Sequence, residues 1–214
     1  MGVSNSKSKT GPRALYRGDI DDVLEARFIG AGRVAWDIET SGLDPKNDLI
    51  GTVQVHAVGV GSVVVQMDSD SPLRLCRLLE NRQVGKVFHH AMFDLRFMVA
   101  HWNVQPCNIY CTKVAAKLLD PGQTKPSSLQ YLLMRYLGVQ INKDQRVTDW
   151  LSSSLTDEQI DYACKDVEYL LPLLDLIAAD VERSGLADVY GSCLRFIPAR
   201  VLLDLGNWPD VFAY

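Results

Sequence analysis

The chain has 214 residues, with 22 Lys and Arg against 26 Asp and Glu for a formal net charge of −4, and 47% hydrophobic and 22% charged residues. That balance excludes disorder, collagen and coiled coil, and no run of about 18 apolar residues is present to cross a bilayer. The mild acidity argues against a long electrostatic track for polymeric nucleic acid, which is ordinarily basic, and leaves a short nucleic-acid ligand open.

Residues 1–13, MGVSNSKSKTGPR, are polar and basic with no apolar centre. They read as a disordered extension, not a secretory leader. Gly2 and Ser6 fit the loose myristoylation pattern, with Lys7, Lys9 and Arg13 as a basic second signal. Residues 14–214 read as one domain. Residues 34–40 form a strand ending in a Ser-Gly turn, and 52–58 and 62–67 the next two, joined through Gly59 and Gly61 as an antiparallel meander. Residues 71–79 carry helical periodicity, 86–90 a short strand, 93–101 a helix, 108–111 a short strand and 112–119 a helix. A Pro/Gly loop over 120–126 leads to a helix over 128–137 that Gly138 closes, and 141–148 is loop-like. Thr156 and Gln159 make a capping box that opens a long helix, which Pro172 should kink or split. A last helix covers 195–205 and a turn 207–210. Strands first, then strands alternating with helices, predict an α/β fold: a mixed sheet flanked by helices.

The five cysteines have irregular spacings, so a disulfide framework is not expected and a reducing, cytoplasmic setting is. Cys107 and Cys111 with His101 make half a zinc site at most, and buried reduced thiols are the other reading.

Asp37 and Glu39 lie two apart on the first of these strands, so both project from one sheet face. Two like charges there need neutralising, which a divalent cation does; a simply solvated face is the bland alternative. Asp94 opens a helix after the strand 86–90, and Tyr162 and Asp166 stack at i, i+4 on the long helix. Singly, each has a dull explanation. Their order, D-x-E, then D, then Y-x-x-x-D, does not.

WDIETSGL, FHHAMFDL and YACKDVEYLL resemble the three motifs of the DEDD 3′–5′ exonuclease superfamily, and residues 147–174 are similar to its RNase D branch. The tyrosine four before the last Asp matches the DEDDy subtype; the histidine subtype needs His where Asp161 stands. The resemblance implies an RNase H-like (DnaQ-like exonuclease) fold and two divalent cations, Mg2+ or Mn2+, held by Asp37, Glu39, Asp94 and Asp166. Tyr162 joins them as a catalytic residue. An ordinary phenol has a pKa of about 10 and is no free base at neutral pH, so Tyr162 is expected to orient the attacking water or pass its proton on.

RNase D proper carries helical modules after its nuclease domain, and the 48 residues after Asp166 leave no room for one (214 − 166). LYRGDI and FIPARVLLDLGNWPDVFAY resemble the short, module-free nanoRNase C relatives. Those degrade very short RNAs, dinucleotides above all, to nucleoside 5′-monophosphates and assemble into rings. The expected partners are therefore short RNA and further copies of the chain, an octameric ring among the arrangements. A broader exonuclease on longer RNA or single-stranded DNA, and a catalytically silent binding or scaffold protein, are the alternatives. By the same resemblance Ile38, Thr40, Leu43, His89, His90, Phe93, Lys143, Arg146 and Trp208 are the expected substrate contacts. Leu43 would wedge between bases; ordinary turn packing is the other reading. For either histidine the alternative is a satisfied structural role, for Lys143 and Arg146 surface solvation, and for Trp208 core packing. The sequence departs from the family's pattern at Ile38, where a threonine is common, and at Val147-Thr148.

Overall fold

The computed structural model describes residues 13–68, 71–141 and 148–213. Lys143 and Arg146, and the head with Gly2, Ser6, Lys7 and Lys9, lie outside the described residues.

Six strands form one mixed sheet in the order β1-β4-β3-β2-β5-β6. They are β1 (Arg13–Arg17), β2 (Arg33–Thr40), β3 (Ile50–Ala57), β4 (Gly61–Gln66), β5 (Gly85–Phe88) and β6 (Ile109–Cys111). The expected meander is present: β2 with β3 and β3 with β4 are antiparallel. β5 and β6 extend the sheet in parallel beyond β2, and β1 adds a parallel strand beyond β4. β1 begins at Arg13, inside the segment expected to be disordered.

The helices are α1 (Asp22–Ala31), α2 (Leu73–Glu80), α3 (Ala91–Trp102), α4 (Thr112–Leu118), α5 (Leu129–Leu137), α6 (Asp157–Glu168), α7 (Leu170–Arg183) and α8 (Ala187–Leu205). α1 has no counterpart in the sequence reading, although Asp21 caps its first turn by accepting from the Leu24 amide. α8 begins two turns earlier than expected and runs through Pro198. The capping box of Thr156 and Gln159 is formed, and Gly138 closes α5 in the left-handed conformation. The expected split at Pro172 falls three residues earlier, at Tyr169. Pro172 has no N–H for the Glu168 carbonyl, so the helix breaks ahead of it and Pro172 sits in the first turn of α7.

Alternation divides the sheet into two unlike faces. Val34, Trp36, Ile38, Val53, Val55, Val63 and Val65 are buried in the main core with Leu24 and Phe28 of α1 and Leu75, Leu78 and Leu79 of α2. Burying Phe28 and Phe88 fully contributes about 1.5–3 kcal/mol each. The other face carries Asp37 opposite Gln54 and Val64, and Glu39 opposite Thr52 and Gln66. α6 packs over this polar face, touching β2, β3 and β4, with Val64 clustered against Trp150, Tyr162, Ala163 and Cys164. No helix of the described residues is long and apolar enough to cross a membrane.

The strand register shifts between Glu39 and Thr40, so Gly51 is an extra residue on β3 at the level of Glu39. A Cβ there would lie 2.5 Å from the Trp150 carbonyl oxygen and 2.9 Å from Trp150 Cβ. The glycine therefore lets the backbone before α6 rest directly on the sheet. Gly51→Ala is expected to destabilise the chain by about 1–3 kcal/mol, since backbone must shift to make room; an unchanged urea midpoint would refute that contact.

Candidate active site

Three carboxylates meet on the polar face. Ligand oxygens of Asp37, Glu39 and Asp166 all lie within 4.8 Å of one another, the three being half-buried. β2 supplies the first two by its alternation and α6 the third. Asp94 does not join this set. It is 2% exposed in the first turn of α3, and its Oδ1 accepts from the Ile38 amide at 3.2 Å. It acts on Asp37 through its charge: Asp37 is pushed well above the ordinary carboxylate range, first by burial, then by Asp94, Asp166 and Glu39. Burial likewise raises Asp94, against the backbone amides that lower it. No Lys or Arg figures among the charges acting on Asp37.

The donor set is all hard oxygen and crowded, which suits Mg2+, Mn2+ or Ca2+ and not a soft metal. Cys107, Cys111 and His101 make no such group. Cys107 donates to the Glu80 carbonyl at 3.0 Å, and His101 Nε2 bonds the Asp48 carbonyl at 3.0 Å.

Tyr162 is 8% exposed, its ring 6.0 Å from that of Trp150. Burial, then the charges of Asp166, Glu39 and Asp37 and a hydrogen bond to Asp166, raise its pKa far above the usual phenol value. The hydroxyl is thus a proton donor, as expected from an unperturbed phenol. Three devices fix α6. The capping box sets its start, Gln159 Nε2 donates to Thr148 Oγ1 at 3.0 Å and to the Asp149 carbonyl at 3.2 Å, and Arg13 pairs with Asp161. Trp150, the Ile38 amide and the bulge at Glu39 are the parts of the site that sequence reasoning missed. A Gly facing a strand end is the one sequence signal for the bulge.

The expected substrate contacts divide. Leu43 projects from the loop after β2, 80% exposed, so turn packing does not describe it. Thr40 Oγ1 donates to the Gly42 carbonyl at 2.6 Å and shapes that loop. The Ile38 side chain is buried on the opposite face and does not reach the site. His89 Nδ1 lies 2.9 Å from Thr112 Oγ1, which donates to the Phe88 carbonyl. His90 is exposed and adopts the left-handed backbone, φ 75°, letting β5 turn at once into α3. Partial burial of its ring, then the charges of Lys113, Arg96 and Lys117, lower its pKa to about 4, so it is neutral at pH 7. Phe93 is half-buried, its ring 5.1 Å from that of Phe97. Trp208 is 61% exposed after α8, not core.

The sequence pattern of the family described as 3′–5′ exonuclease matches residues 22–182. The chain belongs to this 3′–5′ exonuclease family. Within it the chain is of the short, RNase D-like NrnC type: Brucella melitensis NrnC is 31% identical, with a TM-score of 0.87 over 94% of this chain and 98% of that one. The Brucella protein is also solved bound to pGG, at 30% identity and a TM-score of 0.86. A third structure of it holds bound Mg2+. Ribonuclease D of Zymomonas mobilis is 32% identical over 108 residues, which cover 50% of this chain and 27% of that one. The chain thus spans less than a third of this curated relative.

The like-charge crowding of this exonuclease site should show in stability. A carboxyl whose folded pKa lies above its unfolded value contributes fully below the unfolded pKa and destabilises as pH rises past it. In metal-free protein at pH 7.5, Asp37→Asn is expected to raise Tm by roughly 2–4 °C, the shift about 1 kcal/mol gives in a chain of this size. The gap should close toward pH 5. Excess Mg2+ should raise the wild-type Tm and leave the variant's nearly unmoved. A variant less stable than wild type at pH 7.5 would contradict the crowding.

Proposed function

We propose that this chain is a 3′–5′ exoribonuclease that hydrolyses very short oligoribonucleotides, diribonucleotides above all, to nucleoside 5′-monophosphates. The observation that carries the reading is the carboxylate trio of Asp37, Glu39 and Asp166, with Asp94 behind it and the Tyr162 hydroxyl on Asp166. Asp37, Glu39, Asp94 and Asp166 would hold two divalent ions, Mg2+ or Mn2+. When bound, such ions supply a nucleophilic water at neutral pH and stabilise the leaving 3′ oxygen. Asp94, anchored to the Ile38 amide, keeps its charge turned toward Asp37. Tyr162 holds its proton and, once Asp166 is turned to the ions, would donate it in a hydrogen bond that orients the attacking water. Leu43, held out in solvent on the loop that follows β2, would offer an apolar face to the terminal bases. The positive charges of Arg96, Lys113 and Lys117 gather near His90, where the phosphate end of a short chain would find them.

The pGG of Brucella NrnC supports the short substrate, and its bound Mg2+ the metal. Exposed Leu202, Trp208, Val211 and Phe212 at the C-terminal end support a homo-oligomer, and the free cysteines of the described residues support a reducing, cytoplasmic setting.

Turnover of 5′-labelled RNAs from two to about twenty nucleotides, in Mg2+ and in Mn2+, is expected to be fastest for the dinucleotide. Equal or faster decay of the longest RNA or of single-stranded DNA would favour the broader exonuclease. Tyr162→Phe is expected to lower kcat roughly 10²-fold with little change in KM, the loss typical of one positioned donor. Full turnover by this variant would remove the tyrosine from the mechanism.

A further inference from the structure

Between β2 and β3 the chain makes an excursion, residues 41–49, that starts beside Glu39 and carries Leu43 into solvent. A large apolar side chain at 80% exposure gains nothing from folding. Its use depends on where the backbone points it, and this backbone is held throughout.

One side chain does most of the holding. Asp48 Oδ2 accepts from the Asp44 amide at 2.9 Å, and Oδ1 accepts from the Ser41 hydroxyl at 3.3 Å. Ser41 Oγ in turn accepts from the Leu49 amide at 3.0 Å, and the Ser41 amide donates to the Leu49 carbonyl at 3.0 Å. The Asp48 carboxylate thus ties the residue after Leu43 to the loop's first residue and closes the loop at its base. Its own main chain is fixed too. Its amide donates to the Asp44 carbonyl at 2.8 Å, and its carbonyl bonds His101 Nε2 at 3.0 Å, which docks the loop on α3. His101 is stacked on Phe97, so the dock is part of the packed helix. The carboxylate lies against Gly42: a Cβ built there would stand 2.5 Å from Asp48 Cγ. Gly42 is the one residue between Ser41 and Leu43, and only a hydrogen leaves room for the carboxylate under the tip.

We propose that Asp48 is the positioning residue of a base-stacking wedge. Seated against Gly42, its carboxylate locks residues 41–44, so that Leu43 stands in one orientation beside the carboxylate site and stacks on the terminal bases without first being ordered. The proposal rests on the exonuclease reading above and adds the element that makes Leu43 rigid. Preorganisation of this kind acts on affinity, because the ordering that binding otherwise requires is already complete.

The test is a set of variants assayed on a 5′-phosphorylated diguanylate. KM and kcat are measured in Mg2+, and Kd in Ca2+ as a non-turnover ion. Leu43→Ala and Asp48→Ala are each expected to raise KM and Kd roughly tenfold, ~1.4 kcal/mol, with kcat within about twofold. The double variant should be no worse than either single one, since a wedge already removed cannot be misplaced. Gly42→Ala, which crowds the carboxylate while keeping it, should match Asp48→Ala. Asp48→Asn, which keeps an acceptor oxygen, should recover most of the affinity. Effects that multiply in the double variant would overturn the proposal, as would normal KM and Kd in Asp48→Ala. A fall in kcat together with a lost Mg2+-driven Tm rise would show a merely structural role and would also overturn it. If Leu43→Ala itself leaves KM and Kd unchanged, the wedge fails while the exonuclease reading stands. If wild type binds the dinucleotide but turns over no RNA, the exonuclease reading fails and the Kd series still decides the role of Asp48.

Discussion

The mutual repulsion of carboxylates held within 4.8 Å of one another is the constraint on which the rest of this structure depends. A chain left to its own stability does not crowd Asp37, Glu39 and Asp166 together with Asp94 against them. It does so here because strand alternation, helix capping and an anchored amide each leave these groups no other place. Asp37 and Glu39 share a face because they are two apart on β2, and the bulge at Gly51 falls at the level of Glu39. Asp94 cannot swing away, because its oxygen is bonded to the amide between the other two. The repulsion is thus stored by backbone geometry, which is the condition for a divalent cation to be the group that relieves it.

That storage needs a rigid partner across the cleft, and α6 is built as one. Its start is fixed by the reciprocal bonds of Thr156 and Gln159, and its exposed flank is tied to β1 through Arg13 and Asp161. Its end is set by Pro172, which interrupts the hydrogen-bond ladder just after Asp166 has been placed. Under its first turn the Trp150 main chain rests on Gly51, so the Tyr162 phenol and the sheet carboxylates share one support. Stability and geometry are therefore coupled in one direction: the main core supplies the folding energy, and the polar face spends part of it on an arrangement that a divalent cation would relieve.

Much of this was legible from the sequence, and what was not has identifiable causes. β2 to β4, the short β5 and β6, and the helices α2 to α6 follow from periodicity, which is strong where a segment has one apolar face. The meeting of Asp37, Glu39 and Asp166, with Tyr162 beside them, follows from order and spacing. β1 escaped because RALYR is short and half-exposed, and its partner β4 lies far along the chain, where no local signal reaches. α1 escaped although Asp21 and Gly32 are ordinary start and stop residues, because its apolar stripe is weak. Ile38 is the instructive residue within the site. Alternation correctly turns its side chain away from the metal face, but its amide is what holds Asp94, and a backbone donor carries no residue-type signature. The same applies to Asp48, an unremarkable loop aspartate until its two oxygens are seen to bind residues on either side of Leu43.

The mild acidity of the chain acquires a local meaning from this arrangement. A formal charge of −4 is poor for gripping a long polyanion, whose affinity grows with each phosphate neutralised. Here negative charge is concentrated where cations are to sit, and the positive side chains of Arg96, Lys113 and Lys117 are gathered near His90 at the mouth of α3. Leu43 is held out on a locked loop that begins two residues after Glu39. On the proposed reading, a ligand would have one end at the carboxylates, bases against Leu43 and a phosphate at the basic corner. Each of these contacts would be short-range and satisfied within one or two nucleotides. With only these contacts proposed among the described residues, added nucleotides would bring added charge with little added attraction, and binding per residue would fall with length. Specificity for short RNA would then come from where the few attractive contacts end, with no need for a barrier that excludes longer chains.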